Sequence, residues 1–361
     1  MKKSLFVLVA LSLIIINNKS FAQGCVAIRS TGAICALHMP DSISNASKWQ
    51  LGINYRYYKS YKHYVGTEEQ KLRVDTGSNV INHSNTIDIA LTHELNRRWS
   101  LLVDVPILAN SRSSLYEHDR VNRYSTHSFG VGDIRFSAYR WMFDPEKSQH
   151  FNLQLGLGIK FPTGDYKYQD KFHITDSTTQ VGPVDQSIQL GDGGTGFTVE
   201  ANTFYNFSHH VGLYGNFYYL LNPREQNGVS TARGGVPSAQ TMQIGSDVMS
   251  VPDQYLIRAG VNFDFNRLMF SFGMRDECLP VYDLIGGSEG FRRPGYIISE
   301  EQGVSYAFKK FSAYAYVPVA LVRNRTQSVP DKNKTELTGV YSHGDAAFAD
   351  YVINVGFVFK L

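Results

Sequence analysis

Apolar and polar residues alternate with a period of two along much of the chain. Phe151, Leu153, Leu155, Leu157, Ile159 and Phe161 alternate with Asn152, Gln154, Gly156, Gly158 and Lys160. Tyr255, Ile257, Ala259, Val261, Phe263 and Phe265 repeat the pattern, as do Tyr351, Ile353, Val355, Phe357, Phe359 and Leu361. Period two marks a strand with two unlike faces. Each apolar set runs for about 11 residues, the length a tilted strand needs to cross a bilayer. Twelve such segments are predicted, over 49–61, 85–96, 99–110, 131–143, 151–162, 195–207, 211–222, 254–265, 267–278, 297–308, 311–322 and 348–361.

The connections between these segments alternate in length. Asn96-Arg97-Arg98, Asp144 to His150, Ser208-His209-His210, Asn266 and Lys309-Lys310 are short. The connections near 62–84, 111–130, 163–194, 223–253, 279–296 and 323–347 are long and polar. Strict short/long alternation predicts an all-β fold: a transmembrane up-and-down antiparallel β-barrel of about 12 strands, with short periplasmic turns and long extracellular loops. A secreted β-sandwich also has short alternating strands. It explains neither the order of the connections nor one apolar face on nearly every strand. Trp49, Tyr57, Trp99, Trp141, Phe151, Phe161, Tyr205, Phe207, Tyr219, Phe265 and Tyr351 fall near strand ends, where interfacial aromatic girdles are expected. The final Phe357-Val358-Phe359-Lys360-Leu361 is similar to the signal read by barrel-insertion machinery, which is therefore an expected partner along with outer-membrane lipid.

Residues 1–22 read as a secretory signal peptide: Lys2 and Lys3, an apolar run from Leu5 to Ile16, then Ser20-Phe21-Ala22 before Gln23. The run is too short to span a bilayer as a helix. The expected organisation is thus a leader, a periplasmic N-terminal segment over 23–48 that acts as plug or tether, and a barrel over 49–361. Cys25 pairs with Cys35 in one reading and is a lipid acceptor in another; the residues before it fit a lipidation site badly, and the disulfide is preferred. The formal charge of +3 includes Lys2, Lys3 and Lys19 of the leader, whose removal leaves basic and acidic residues equal at 32. A basic surface for nucleic acid is not supported. Hydrophobic residues at 43%, charged at 19% and 44 Tyr plus Phe exclude a disordered chain and a coiled coil.

With the apolar set facing lipid, the alternate set faces the lumen. It includes Arg56, Asp88, Glu94, Asp104, Asp133, Arg135, Lys160, Glu200, Arg258, Asp264 and Arg275. Acids gather on the second to fourth predicted strands, and arginines mainly on the first, eighth and ninth. Two arrangements are open: a field across the pore that orients a solute, or a salt-bridged lumen that keeps a narrow barrel closed and wetted. Twelve strands leave a narrow channel, readily blocked by an inward-folded loop.

Gly130-Val131-Gly132-Asp133-Ile134-Arg135 opens the fourth predicted strand and Phe161-Pro162-Thr163-Gly164-Asp165 closes the fifth. This pair of motifs, with Asp104-Val105-Pro106-Ile107 on the preceding strand, resembles the outer-membrane barrel family named after the meta pathway of phenol degradation, most firmly over 85–165. The resemblance implies a transporter of small, often hydrophobic compounds; it carries over no catalytic or binding residue. On the residues themselves, Pro162 ends a strand at the rim and Gly164 permits a turn. The expected function is passive uptake of a small, unidentified, hydrophobic or aromatic solute; the alternative is a docking barrel whose long loops bind a partner. Neither an enzyme nor a cofactor is expected. His127 and Ser128 are neighbours and fall on opposite faces of any strand, the eleven His show no metal spacing, and Asp192-Gly193-Gly194-Thr195-Gly196 lacks the Gly-Lys-Ser/Thr ending of a phosphate loop.

Overall fold

The computed structural model describes residues 48–361. The leader, Cys25, Cys35 and almost all of the 23–48 segment lie outside the described residues. Twelve strands follow: β1 (Trp49–Val65), β2 (Ile81–Glu94), β3 (Trp99–Ser114), β4 in two segments (Tyr124–Val131 and Arg135–Trp141), β5 (Phe151–Lys160), β6 (Gly196–Asn206), β7 (Val211–Leu221), β8 (Gln254–Phe265), β9 (Leu268–Leu279), β10 (Gly295–Ala307), β11 (Phe311–Arg325) and β12 (Ala346–Lys360). Each pairs antiparallel with the next, and β12 returns to β1 with Gln50 opposite Lys360 and Tyr64 opposite Ala346. The sheet closes on itself and leaves no second sheet for its apolar face to pack against.

That face points outward. Phe272 is 54% exposed and Leu157 67%, whereas Arg135 and Asp104 are almost completely enclosed. A water-soluble protein does the opposite, because charged side chains are buried only when paired. An apolar exterior over a polar interior is stable where the surroundings are hydrocarbon, and a closed barrel also satisfies every backbone group there. The aromatic belt gathers at the short-turn end: Trp49 stacks on His93 with centroids 4.1 Å apart, Tyr205 meets Phe207 at 5.0 Å and Phe308 stacks on Phe311 at 4.5 Å. The turns there are tight. Asn96 accepts the Arg98 and Trp99 amides at 2.9 and 3.1 Å, and Asn266 takes φ 61°, a value Asn tolerates better than most residues.

Inside, tyrosines lie flat on the wall where a facing residue has no side chain. The Tyr139 ring covers Gly156 so closely that a Cβ there would sit 2.5 Å from it, and Tyr316 covers Gly303 in the same way at 2.3 Å. The barrel interior is therefore filled as well as charged.

The outer ends of the first four strands differ from expectation. Pairing runs on to Val65, starts at Ile81, continues to Ser114 and resumes at Tyr124, so the predicted connections near 62–84 and 111–130 shrink to 66–80 and 115–123. Above the bilayer both faces of a strand can be polar, as with Asn110, Ser111, Arg112 and Ser113. The ladder continues there while the apolar alternation stops. The remaining outer loops are ordered too. The third holds the hairpin Gln169–His173 with Thr179–Pro183, and the sixth holds helix α1 (Val329–Thr338), capped reciprocally by Ser328 and Asp331.

Candidate functional site: a salt-bridged lumen beneath an inward loop

The lumenal charges fall into paired groups. Arg135 on β4 bonds Glu200 on β6 through Nη1 and approaches Asp104 on β3 at 3.4 Å through Nη2; Glu200 also accepts the Tyr139 hydroxyl at 2.9 Å. On the opposite wall Arg258 donates to Glu301 at 2.8 Å, Arg275 reaches the other oxygen of Glu301 at 3.2 Å, and Arg275 also holds Glu277 at 2.7 Å. A hydrogen-bonded chain runs from Arg258 through Asn216 and Asn202 to Gln154, with 2.8 Å between Asn216 and Asn202 and 3.2 Å between Asn202 and Gln154. Arg56 and Asp88 are buried on neighbouring strands, Asn54 being opposite Asp88 and donating to it at 3.5 Å. Acids and arginines alternate locally in these groups, as a salt-bridged lumen requires.

Four of the eleven sequence candidates lie apart from this belt. Glu94 accepts from Gln50 at 2.7 Å and Asp264, partly buried, gives its carbonyl to His210 at 2.9 Å; both are at the short-turn rim. Asp133 and Lys160 sit higher, 3.3 Å apart, at a discontinuity in the wall. There, three residues of β4 (132–134) face only two of β3, between the pairs Asp104/Arg135 and Ile107/Val131. The two motifs of the sequence meet at this bulge and fill it. Thr163 donates its hydroxyl to the Gly132 carbonyl at 2.9 Å and accepts the Ile134 amide at 2.8 Å, while Asp133 accepts the amides of Gly164 at 3.0 Å and Asp192 at 3.2 Å. Lys160 also bonds Asp192. Beside the bulge lies a cavity of about 30 Å³, lined by Pro106, Leu108, Leu190 and Leu220 together with Asp133, Arg135, Lys160 and Asp192.

The third outer loop supplies Leu190 and Asp192 to this lining. Its short 3₁₀ turn Gln186–Ile188 folds into the mouth, burying Ser187, Ile188, Gln189 and Leu190. Asp185 caps the turn through the Ser187 amide at 3.0 Å and is gripped at 2.9 and 2.6 Å by Arg293 of the fifth loop and at 3.5 Å by Arg112 of β3. Burial acts to raise the Asp185 carboxyl, yet Arg112 and Arg293 outweigh it and hold the group well below the usual carboxylate range. Arg112 is itself paired with Glu117 at 2.9 Å and donates to Asn82 at 3.0 Å. Ser128 donates to the Ile188 carbonyl and faces inward, while His127 is exposed on the other face, 3.8 Å from Asp170, so the two do not form a nucleophile–base pair.

Sequence reasoning missed Glu301, Glu277 and the whole latch of Arg112, Glu117, Asp185 and Arg293. Ser299-Glu300-Glu301-Gln302 has no apolar alternation to reveal which Glu points inward, and the latch draws on segments distant in sequence.

Residues 59–227 match the family described as "Putative MetA-pathway of phenol degradation", a stretch that contains both motifs and the bulge they fill. No curated protein matches the chain. Among solved structures, an outer membrane channel from Pseudomonas putida F1 superposes with a TM-score of 0.58 at 12% identity, covering 90% of this chain and 99% of that one. The translocator domain of the autotransporter NalP from Neisseria meningitidis gives 0.46 at 10% identity (89% and 91% covered), and the Pseudomonas putida toluene transporter TodX gives 0.44 at 8% (95% and 96%). The first of these shows the fold: a closed twelve-strand barrel of the outer-membrane channel type. With its apolar exterior, the protein is placed in the outer membrane.

Proposed function

We propose that this outer-membrane barrel, which carries the phenol meta-pathway family pattern over residues 59–227, is a gated passive conduit for a small hydrophobic or aromatic solute. The observation that carries the reading is the cavity beside the wall bulge, lined by apolar and charged side chains together and bounded by Leu190 and Asp192 of the third loop. An aromatic ring bearing one polar group would match this mixed lining. At about 30 Å³ the cavity admits a water or two and no solute, so the third loop must swing out for passage. We assign no catalytic role. In the same proposal the outer wall is solvated by outer-membrane lipid, and the last strand, ending in Phe359, Lys360 and Leu361, is the segment that insertion machinery reads.

The test is uptake by proteoliposomes of benzoate, an aromatic carboxylate, against glucose, a polar solute of similar size. Benzoate flux well above that of protein-free vesicles, with glucose much slower, is the expected result. Equal rates for both would reduce the protein to an unselective pore. No flux of either, together with silence in planar-bilayer recording, would sink the conduit and leave the long loops as a docking surface.

A further inference from the structure

The alternation that sends Ser299, Glu301 and Ser305 into the barrel sends Glu300 and Gln302 out of it. Their cross-strand neighbours confirm the direction: Glu300 lies between Met274 and Val319, and Gln302 between Phe272 and Val317. Phe272 and Met274 are lipid-facing, as are Phe270 and Val304. Seven residues separate Glu300 from the short-turn end of β10 at Ala307, which at the rise and tilt of barrel strands puts it roughly 15 Å into the wall. A carboxylate and an amide thus stand at hydrocarbon depth, flanked along their strand by Ile298 above and by Val304 and Tyr306 below. Among the described residues no ion pair involves Glu300, and neither side chain has a hydrogen-bond partner recorded within the chain. Beside them β11 presents Val319 and Val317, and next toward the short-turn end only Ala315 and Ala313, opposite Val304 and Tyr306, so the surface there is low and open to close approach. Asp276, diagonal to Glu300 across β9, extends the polar patch toward the outer rim, and its Oδ1 has no partner either.

Polar groups facing lipid are costly unless something satisfies them. We propose that this face of β9–β11 is covered by a second copy of the same chain. In a two-fold interface each residue meets its counterpart's neighbour, so i contacts j and j contacts i. Gln302 supplies two N–H donors and Glu300 only acceptors, two residues apart on one face of one strand. A two-fold axis along the membrane normal keeps both copies in the orientation in which barrels insert. It sets Gln302 of each copy near Glu300 of the other, offset in depth by about 5 Å, which two long side chains can span. The patch is therefore self-complementary, whereas a partner of basic character would leave Gln302 unmatched. This inference does not depend on the conduit reading, since a non-conducting barrel would carry the same face.

The full-length protein, reconstituted in phosphatidylethanolamine–phosphatidylglycerol vesicles with one fluorophore per chain, tests it by photobleaching steps counted as protein is diluted in lipid. Two-step particles are expected. Glu300→Leu and Gln302→Leu should each lower the two-copy fraction about tenfold, each removing a hydrogen bond twice over, while keeping the heat-modifiable gel mobility of a folded barrel. The exchange Glu300→Gln with Gln302→Glu keeps the complementarity and should restore the pair, which a role confined to one barrel would not predict. Single-step particles at every dilution, two-copy particles indifferent to both leucine variants, or an exchange variant no better than the single ones would overturn the proposal.

Discussion

The molecule uses arginine–carboxylate clusters in two places, and they answer to different needs. In the lumen Arg135 on β4 ties β3 through Asp104 and, across β5, β6 through Glu200, while Glu301 on β10 is held by Arg275 of β9 and, across β9, by Arg258 of β8. All are fixed to strands whose ladders already hold them in place. At the mouth Arg112, Arg293, Glu117 and Asp185 tie a strand end to three loops. The chemistry and the burial are alike. The difference is that the partners in the lumen cannot part without unzipping the sheet, whereas Asp185 can leave Arg112 and Arg293 by moving a loop. The first cluster is thus part of the wall and the second is a latch.

Breaking the wall cluster should have the largest effect. Arg135→Met leaves Glu200 enclosed without its counter-charge, and a loss of about 3–5 kcal/mol is expected. Urea unfolding of the detergent-solubilised barrel measures it; a loss under 1 kcal/mol would mean that water reaches these carboxylates. Breaking the latch should cost little stability and change function instead. Asp185→Asn weakens the hold of both arginines on the turn, with about 1 kcal/mol lost, and mean single-channel conductance should rise. An unchanged conductance would show that the third loop is held by its apolar residues Ile188 and Leu190 alone. The latch also has a pH signature. Because the folded Asp185 carboxyl titrates well below its unfolded value, its stabilisation is complete above about pH 4 and is lost only as pH falls through the lowered value. Wild-type conductance should then stay flat from pH 7 to 5 as far as this latch is concerned, and a stepwise rise in that window would argue against it. The smallest effect is expected at the bulge between the two clusters. Thr163→Val orphans the Ile134 amide and the Gly132 carbonyl, for about 1 kcal/mol, visible as a small shift in the same urea curve.

Much of the wall was legible in the sequence, because lipid on one side and charge on the other impose a two-residue rhythm that β5, β8 and the last eleven residues of the chain keep. Where the constraint lapses, so does the signal. Ser111, Ser113 and Ser125 face out above the bilayer among polar neighbours, and nothing in their order marks the strands that continue through them. Glu301 could not be told from Glu300 by pattern, yet one faces Arg258 and the other the membrane. The motifs at 130–135 and 161–165 were visible as motifs, but that Thr163 and Asp133 close a bulge in the wall depends on a register no spacing reveals. The latch is the extreme case: Arg112, Asp185 and Arg293 are brought together only by the folded loops.

The seam where β1 meets β12 has a consequence for how the protein comes into being. Gln50 must find Lys360 across nearly the whole length of the chain, and until it does both terminal edges of the ribbon offer bare amides and carbonyls to hydrocarbon. A partly built barrel has nowhere in the membrane to wait, so the ring is expected to close late, slowly and all at once, with assembly limited by this single pairing of first and last.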